Sequence, residues 1–145
     1  MKPDYAKSEV YNLIASWAES CGYEVRYKAR DNEKIAAYTL PDEYGQSYIQ
    51  MYNNKEVYIP FGEYYEGAGC CDDFYAEVGA SNVLAHELAH QIFTNVSPKP
   101  FAKLFGIEPE CMANIAMVEN EEACDAFGNF LYTLAYRIIN GAATN

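Results

Sequence analysis

The chain has only two histidines in 145 residues, and both fall in one five-residue stretch, His86, Glu87, Leu88, Ala89 and His90. Two histidines scattered at random over such a chain stand four apart, with glutamate after the first, roughly once in a thousand sequences, so accident explains the pattern poorly. The spacing constrains the fold before any other feature does. Four residues make about one turn of an α-helix, so both imidazoles leave one face only if this stretch is helical. The surrounding pattern agrees and predicts a helix from about Phe74 to Phe93, weakened at Gly79, with Ser81 as the N-cap of a shorter alternative. Glu87 is rotated by roughly 100° from His86 and leaves the helix on a different line.

Two imidazoles one turn apart can bind a single metal ion, and Zn²⁺ suits them. Zinc lowers the pKa of its water toward ~7, and Glu87 stands where its carboxylate can take the proton as hydroxide attacks a polarised carbonyl. A catalytic zinc takes three protein ligands and keeps one position open. No histidine is left, so the third donor is a carboxylate or a cysteine. The acidic run Glu119, Asn120, Glu121, Glu122, Ala123, Cys124, Asp125 is the obvious source. With about 100° per residue, Met117, Asp125, Gly128, Tyr132, Ala135 and Ile139 lie within about 40° of Glu121, which predicts that Glu121 faces inward. Glu122 falls with Asn129, Thr133, Arg137 and Asn140 on a polar arc, and Glu119 points away from Glu121. An inward carboxylate with no base on its helix face is costly to bury, and a metal ion removes that cost. Asp125, one turn on, is placed to accept a hydrogen bond from the free ring nitrogen of a ligand histidine, and Gly128 lets two helices approach closely.

The rest of the chain supports one α+β domain over residues 1–145, a length typical of a single domain. Val10, Leu13, Ile14, Trp17, Ala18 and Cys21 recur at helical steps and Gly22 follows, which predicts an N-terminal helix from about Tyr5 to Cys21. Tyr23, Val25 and Tyr27 alternate with charged residues, Asp31 and Asn32 carry turn chemistry, and Ile35 to Leu40 is a short apolar run; these predict two strands. Tyr48 to Tyr52 and Glu56 to Ile59 flank Asn53, Asn54 and Lys55 as a predicted hairpin, with Glu56 to Ile59 as the sheet edge for an extended substrate. The result is a small sheet of three or four strands packed on an N-terminal helix, a histidine helix and a C-terminal glutamate helix covering roughly Met112 to Ile139. A Gly- and Tyr-rich loop spans 61–73, and Pro98, Pro100 and Pro109 mark a connection in which Phe101 to Phe105 form a short helical piece.

Composition narrows the function classes. Half the residues are apolar, 14 are tyrosine, and the net charge of −11 repels phosphate backbones, so nucleic acid is excluded as a partner and a basic peptide or protein favoured. No basic start with an apolar run follows Met1 and no stretch approaches a membrane span of ~20 apolar residues, which predicts a cytoplasmic protein without a membrane partner. The odd count of five cysteines, Cys21, Cys70, Cys71, Cys111 and Cys124, fits reduced thiols that act mostly as small apolar residues. Cys124 follows Glu121 by three residues, near the site, and Cys70 or Cys71 could occupy the fourth zinc position as a latch. Between Lys55 and Lys99 there is no Lys or Arg, while Glu56, Glu63, Glu66, Asp72, Asp73, Glu77 and Glu87 lie there, which predicts a weak preference for basic residues near a scissile bond.

The stretches His86–His90 (HELAH) and Asn120–Gly128 (NEEACDAFG) resemble the gluzincin metallopeptidases, whose glutamate helix carries Asn-Glu-x-x-x-Asp-x-Phe-Gly in thermolysin-like enzymes. The order of elements in a short chain is similar to the minigluzincins and to the ImmA/IrrE metallopeptidase domains. The resemblance implies a zincin-like fold and a zinc-dependent peptidase (hydrolase), with His86, His90 and Glu121 on the metal, Glu87 as general base and acid, and Asp125 orienting a histidine. Thermolysin-like enzymes also use a further histidine for the oxyanion. Both histidines here are already committed, so the candidates for that role are the hydroxyls of Tyr58, Tyr64 and Tyr65. From another class, the alternative is a non-catalytic domain stapled by zinc that binds a regulatory partner. Glu87 favours catalysis, since a structural site needs no base.

Overall fold

A computed structural model describes residues 2–29, 36–41, 47–59, 72–95 and 121–141. The turn at Asp31 and Asn32, the loop carrying Tyr64, Tyr65, Cys70 and Cys71, the Pro98–Pro109 connection with Phe101 to Phe105, and residues 112–120 of the last predicted helix lie outside the described residues. Among the described residues the architecture is α+β, with three α-helices and a small sheet. Helix α1 is Glu9–Ser20, α2 Asp72–Asn95 and α3 Glu121–Asn140; the strands are β1 Glu24–Lys28, β2 Ala37–Pro41 and β3 Ser47–Tyr52.

The predicted N-terminal helix is split. Asp4–Lys7 form a 3-10 turn, and the Ser8 side chain accepts from the backbone N–H of Tyr11 to cap α1. A serine at that point competes for the backbone and starts a new helix rather than continuing the old one. At the other end Gly22 adopts φ +90°, Gly22 N–H donates to Glu19 O at 2.9 Å and Tyr23 N–H to Ala18 O at 2.9 Å, which closes the helix by the 5→2 and 6→1 bonds that favour glycine.

β3 lies between its two neighbours, parallel to β1 (Val25 opposite Ile49, Tyr27 opposite Met51) and antiparallel to β2 (Thr39 opposite Ile49). This overturns the predicted hairpin. Both edges of β3 are taken, so Glu56–Ile59 has no edge to pair with; Lys55–Val57 turn as a 3-10 helix, Tyr58 N–H donates to Lys55 O at 2.9 Å, and Val57 and Tyr58 are buried. The segment is therefore not an edge for an extended substrate.

Helix α2 runs unbroken through Gly79, and Ser81 sits inside it, buried, not at its start. Ala80, Leu84, Leu88 and Ile92 are fully or almost fully buried along one line, and this packing outweighs the weak propensity of one glycine. Tyr11, Ile14 and Ala18 of α1, Ile49 and Met51 of β3, and Leu131 and Ala135 of α3 complete the core. No helix among the described residues is long and apolar enough to cross a membrane.

Tyrosines join the N-terminus to the sheet. The Tyr5 hydroxyl donates to Tyr52 O, the Tyr58 hydroxyl accepts from Tyr52 N–H at 2.7 Å and donates to Ala36 O at 3.3 Å, and the Tyr11 and Tyr27 hydroxyls are 2.8 Å apart. Burial pushes Tyr58 and Tyr23 up to about 12 from the ordinary 10.0, and Tyr5 and Tyr11 farther still. The folded state keeps these protons where the unfolded chain releases them, so stability that is complete below about pH 10 is lost as pH rises toward and past 12. Tm is expected to fall steeply above about pH 10, with tyrosinate absorbance appearing together with unfolding. Titration of every tyrosine near pH 10 in a chain that stays folded would contradict this.

Candidate metal centre

His86 and His90 leave α2 one turn apart, and their Nε2 atoms approach to 3.0 Å with the rings edge to face, 4.6 Å between centroids. Two ligands of one tetrahedral zinc at ~2.05 Å stand about 3.3 Å apart, so the pair is near the spacing that a shared ion requires. The same distance also permits one Nε2–H to donate to the other ring. Glu87, rotated away from this pair as its place in the helix dictates, is only 8% exposed.

Among the described elements, helix α3 makes the most extensive contact with α2. A Cβ built on Gly128 would lie 2.9 Å from both Cα and N of His86, so the absent side chain is what lets the helices meet at this level. One turn back along α3, Cys124 faces His90, so the two helices run antiparallel here. Cys124 and Asp125 then meet one histidine each. Asp125 Oδ1 lies 2.7 Å from His86 Nδ1, an electrostatic contact and not a well-aligned hydrogen bond. Cys124 Sγ lies 3.3 Å from His90 Nδ1. A histidine that binds metal through Nε2 must carry its proton on Nδ1, and both Nδ1 atoms face an acceptor.

The residues predicted from the sequence are thus brought together in part. His86 and His90 face α3, where Asp125 meets His86 at the rim of the contact, its side chain 72% exposed, while Glu87 is buried on a different line of α2. The buried face of α3 extends beyond the predicted arc to Cys124, Phe127 and Leu131, which leaves Asp125 at its margin. Asn129, Thr133, Arg137 and Asn140 are exposed, as the polar arc predicts. Glu121 opens α3, one turn before Asp125; its side chain, and that of Glu122, lie outside the described residues. Among the described residues no set of three His, Cys, Asp or Glu side chains gathers round one point.

Two sequence readings change. Tyr58 is fully buried with its hydroxyl committed to Tyr52 and Ala36, so it does not reach the histidines as an oxyanion donor. Cys124 is no isolated apolar filler, since its sulfur touches a site histidine; yet it meets the Nδ1 side of the ring, away from the Nε2 pair, and is no candidate for the third metal ligand. A cavity of about 260 Å³ lined by Glu9, Phe74, Ser81, Tyr132 and Tyr136 lies toward the other end of the α2–α3 pair and includes neither histidine. No protein-family model matches the chain, and no match is found among curated proteins or solved structures.

Gly128→Ala tests the close approach. Driving a methyl into the His86 backbone is expected to cost about 1–3 kcal/mol in urea unfolding. An unchanged midpoint would mean that the helices do not meet there.

Proposed function

We propose that this chain is a zinc-dependent peptidase of the gluzincin kind, acting in the cytoplasm. The observation that carries the proposal is the approach of the His86 and His90 Nε2 atoms to 3.0 Å on one face of α2 with Glu87 beside them. The donor chemistry fits zinc: two imidazoles, with the carboxylate of Glu121 as third ligand from the first turn of α3. Bound zinc would polarise a carbonyl and lower the pKa of water toward ~7. Glu87 takes a proton from the attacking water and delivers it to the leaving amine nitrogen. Asp125 holds the His86 ring through Nδ1 and keeps its Nε2 lone pair directed at the site. The close contact at Gly128 keeps α3, whose first turn carries Glu121, packed on the histidine helix.

The substrate is a peptide or protein. Helix α2 carries no Lys or Arg, and Glu77 and Glu87 lie on it, so residues of positive charge near the scissile bond are favoured.

Glu87→Gln is expected to retain stoichiometric zinc while peptide hydrolysis falls by about 10²–10⁴-fold. Full activity in that variant would overturn the mechanism, and zinc binding by the wild type without cleavage of any peptide in a random library would point to a zinc-stabilised binding domain instead. Glu121→Ala is expected to lose zinc affinity and Glu122→Ala to keep it; the reverse result would reassign the ligand. A Lys-rich peptide should be cut faster than a matched Glu-rich one, and equal rates would remove the charge argument.

A further inference from the structure

We infer that Cys124 is the positioning residue for His90, and that the two histidines are held unequally, His86 by a carboxylate and His90 by a thiol. The inference rests on the metal site proposed above. Adjacent residues on a helix point roughly 100° apart, so α3 can set Cys124 and Asp125 against two rings that are one turn apart on α2. The sulfur is almost completely buried, at 3% exposure for the residue, and its 3.3 Å contact is to the ring nitrogen that must bear the proton when Nε2 binds metal. Mere packing does not require a sulfur on the line of that nitrogen.

The two acceptors differ in strength. A carboxylate 2.7 Å from His86 Nδ1, although not aligned as a hydrogen bond, makes an electrostatic contact with a protonated Nδ1 that is stronger than a thiol supplies. A thiol sulfur is a weak acceptor. It orients the His90 ring but adds little to its basicity, so His90 is the weaker of the two nitrogen ligands and the one at which the site loosens.

The test is Co²⁺ titration of the full chain, following the visible d–d absorption and the dissociation constant. Cys124→Ala and Cys124→Val both remove the acceptor, the second without leaving a cavity, and are expected to weaken Co²⁺ binding by about 10-fold and to alter the d–d band. Cys124→Ser keeps an acceptor and is expected to lose less. Asp125→Ala, which removes the stronger acceptor, is expected to lose more than Cys124→Ala. Urea unfolding of each metal-free variant separates stability from affinity. A folded Ala or Val variant with wild-type affinity and spectrum would overturn the role of Cys124 while leaving the metal site intact. A wild-type chain that binds no Co²⁺ would overturn the metal site itself, and this inference with it.

Discussion

Gly128 has no side chain, and the space where one would begin is occupied by the backbone of His86. The remaining contacts of the site depend on this approach. With α3 pressed onto α2 at that level, Asp125 reaches one histidine and Cys124 the other. A shift of α3 outward by the size of one methyl group would open both contacts. The candidate centre is therefore built from the spacing and antiparallel register of two helices, elements that hold side chains more tightly than loops do. Helix α1 packs on both, and the Tyr23 hydroxyl donates to Gln91 O at 3.2 Å, fixing α2 immediately beyond His90.

The many tyrosines have a related explanation. Buried backbone N–H and C=O groups need hydrogen-bond partners, and tyrosine hydroxyls can supply them. Tyr5, Tyr58 and Tyr23 fill the core with their rings and hydrogen-bond backbone groups of Tyr52, Ala36 and Gln91 with their hydroxyls. Phenylalanine would fill the same volume and lose these hydrogen bonds. The Tyr5 and Tyr58 rings also meet edge to face at 4.9 Å, so the N-terminal turn and the segment after β3 lock each other in place.

Local chemistry made much of this legible from the sequence. The helical period exposed α1 and the histidine helix, Gly22 marked where α1 stops, and helical phase found the polar arc of Asn129, Thr133, Arg137 and Asn140 on α3. Gly128 was readable as a place of close approach because it falls on the helix arc predicted to face inward, of which Tyr132 and Ala135 are buried while Asp125 is exposed. The failures came where distant segments decide. Glu56–Ile59 follows β3 at hairpin distance, but β2 already occupies one edge of β3 and β1 the other, the second a parallel pairing across more than twenty residues that no local pattern announces. Ser81 and Gly79 resemble helix boundaries only when the apolar line on which α2 is buried is ignored. The contact of Cys124 with His90 could not be read, because a lone cysteine on a buried face has the same pattern as any small apolar residue.

In the proposed centre the two imidazoles share an ion with a carboxylate and not with a thiol. X-ray absorption at the zinc edge on protein loaded with one equivalent of Zn²⁺ tests it most directly. The predicted spectrum contains two imidazole ligands with the remaining donors all oxygen at ~2.0–2.2 Å. A sulfur neighbour at ~2.3 Å, or zinc that washes out of the protein altogether, would contradict it.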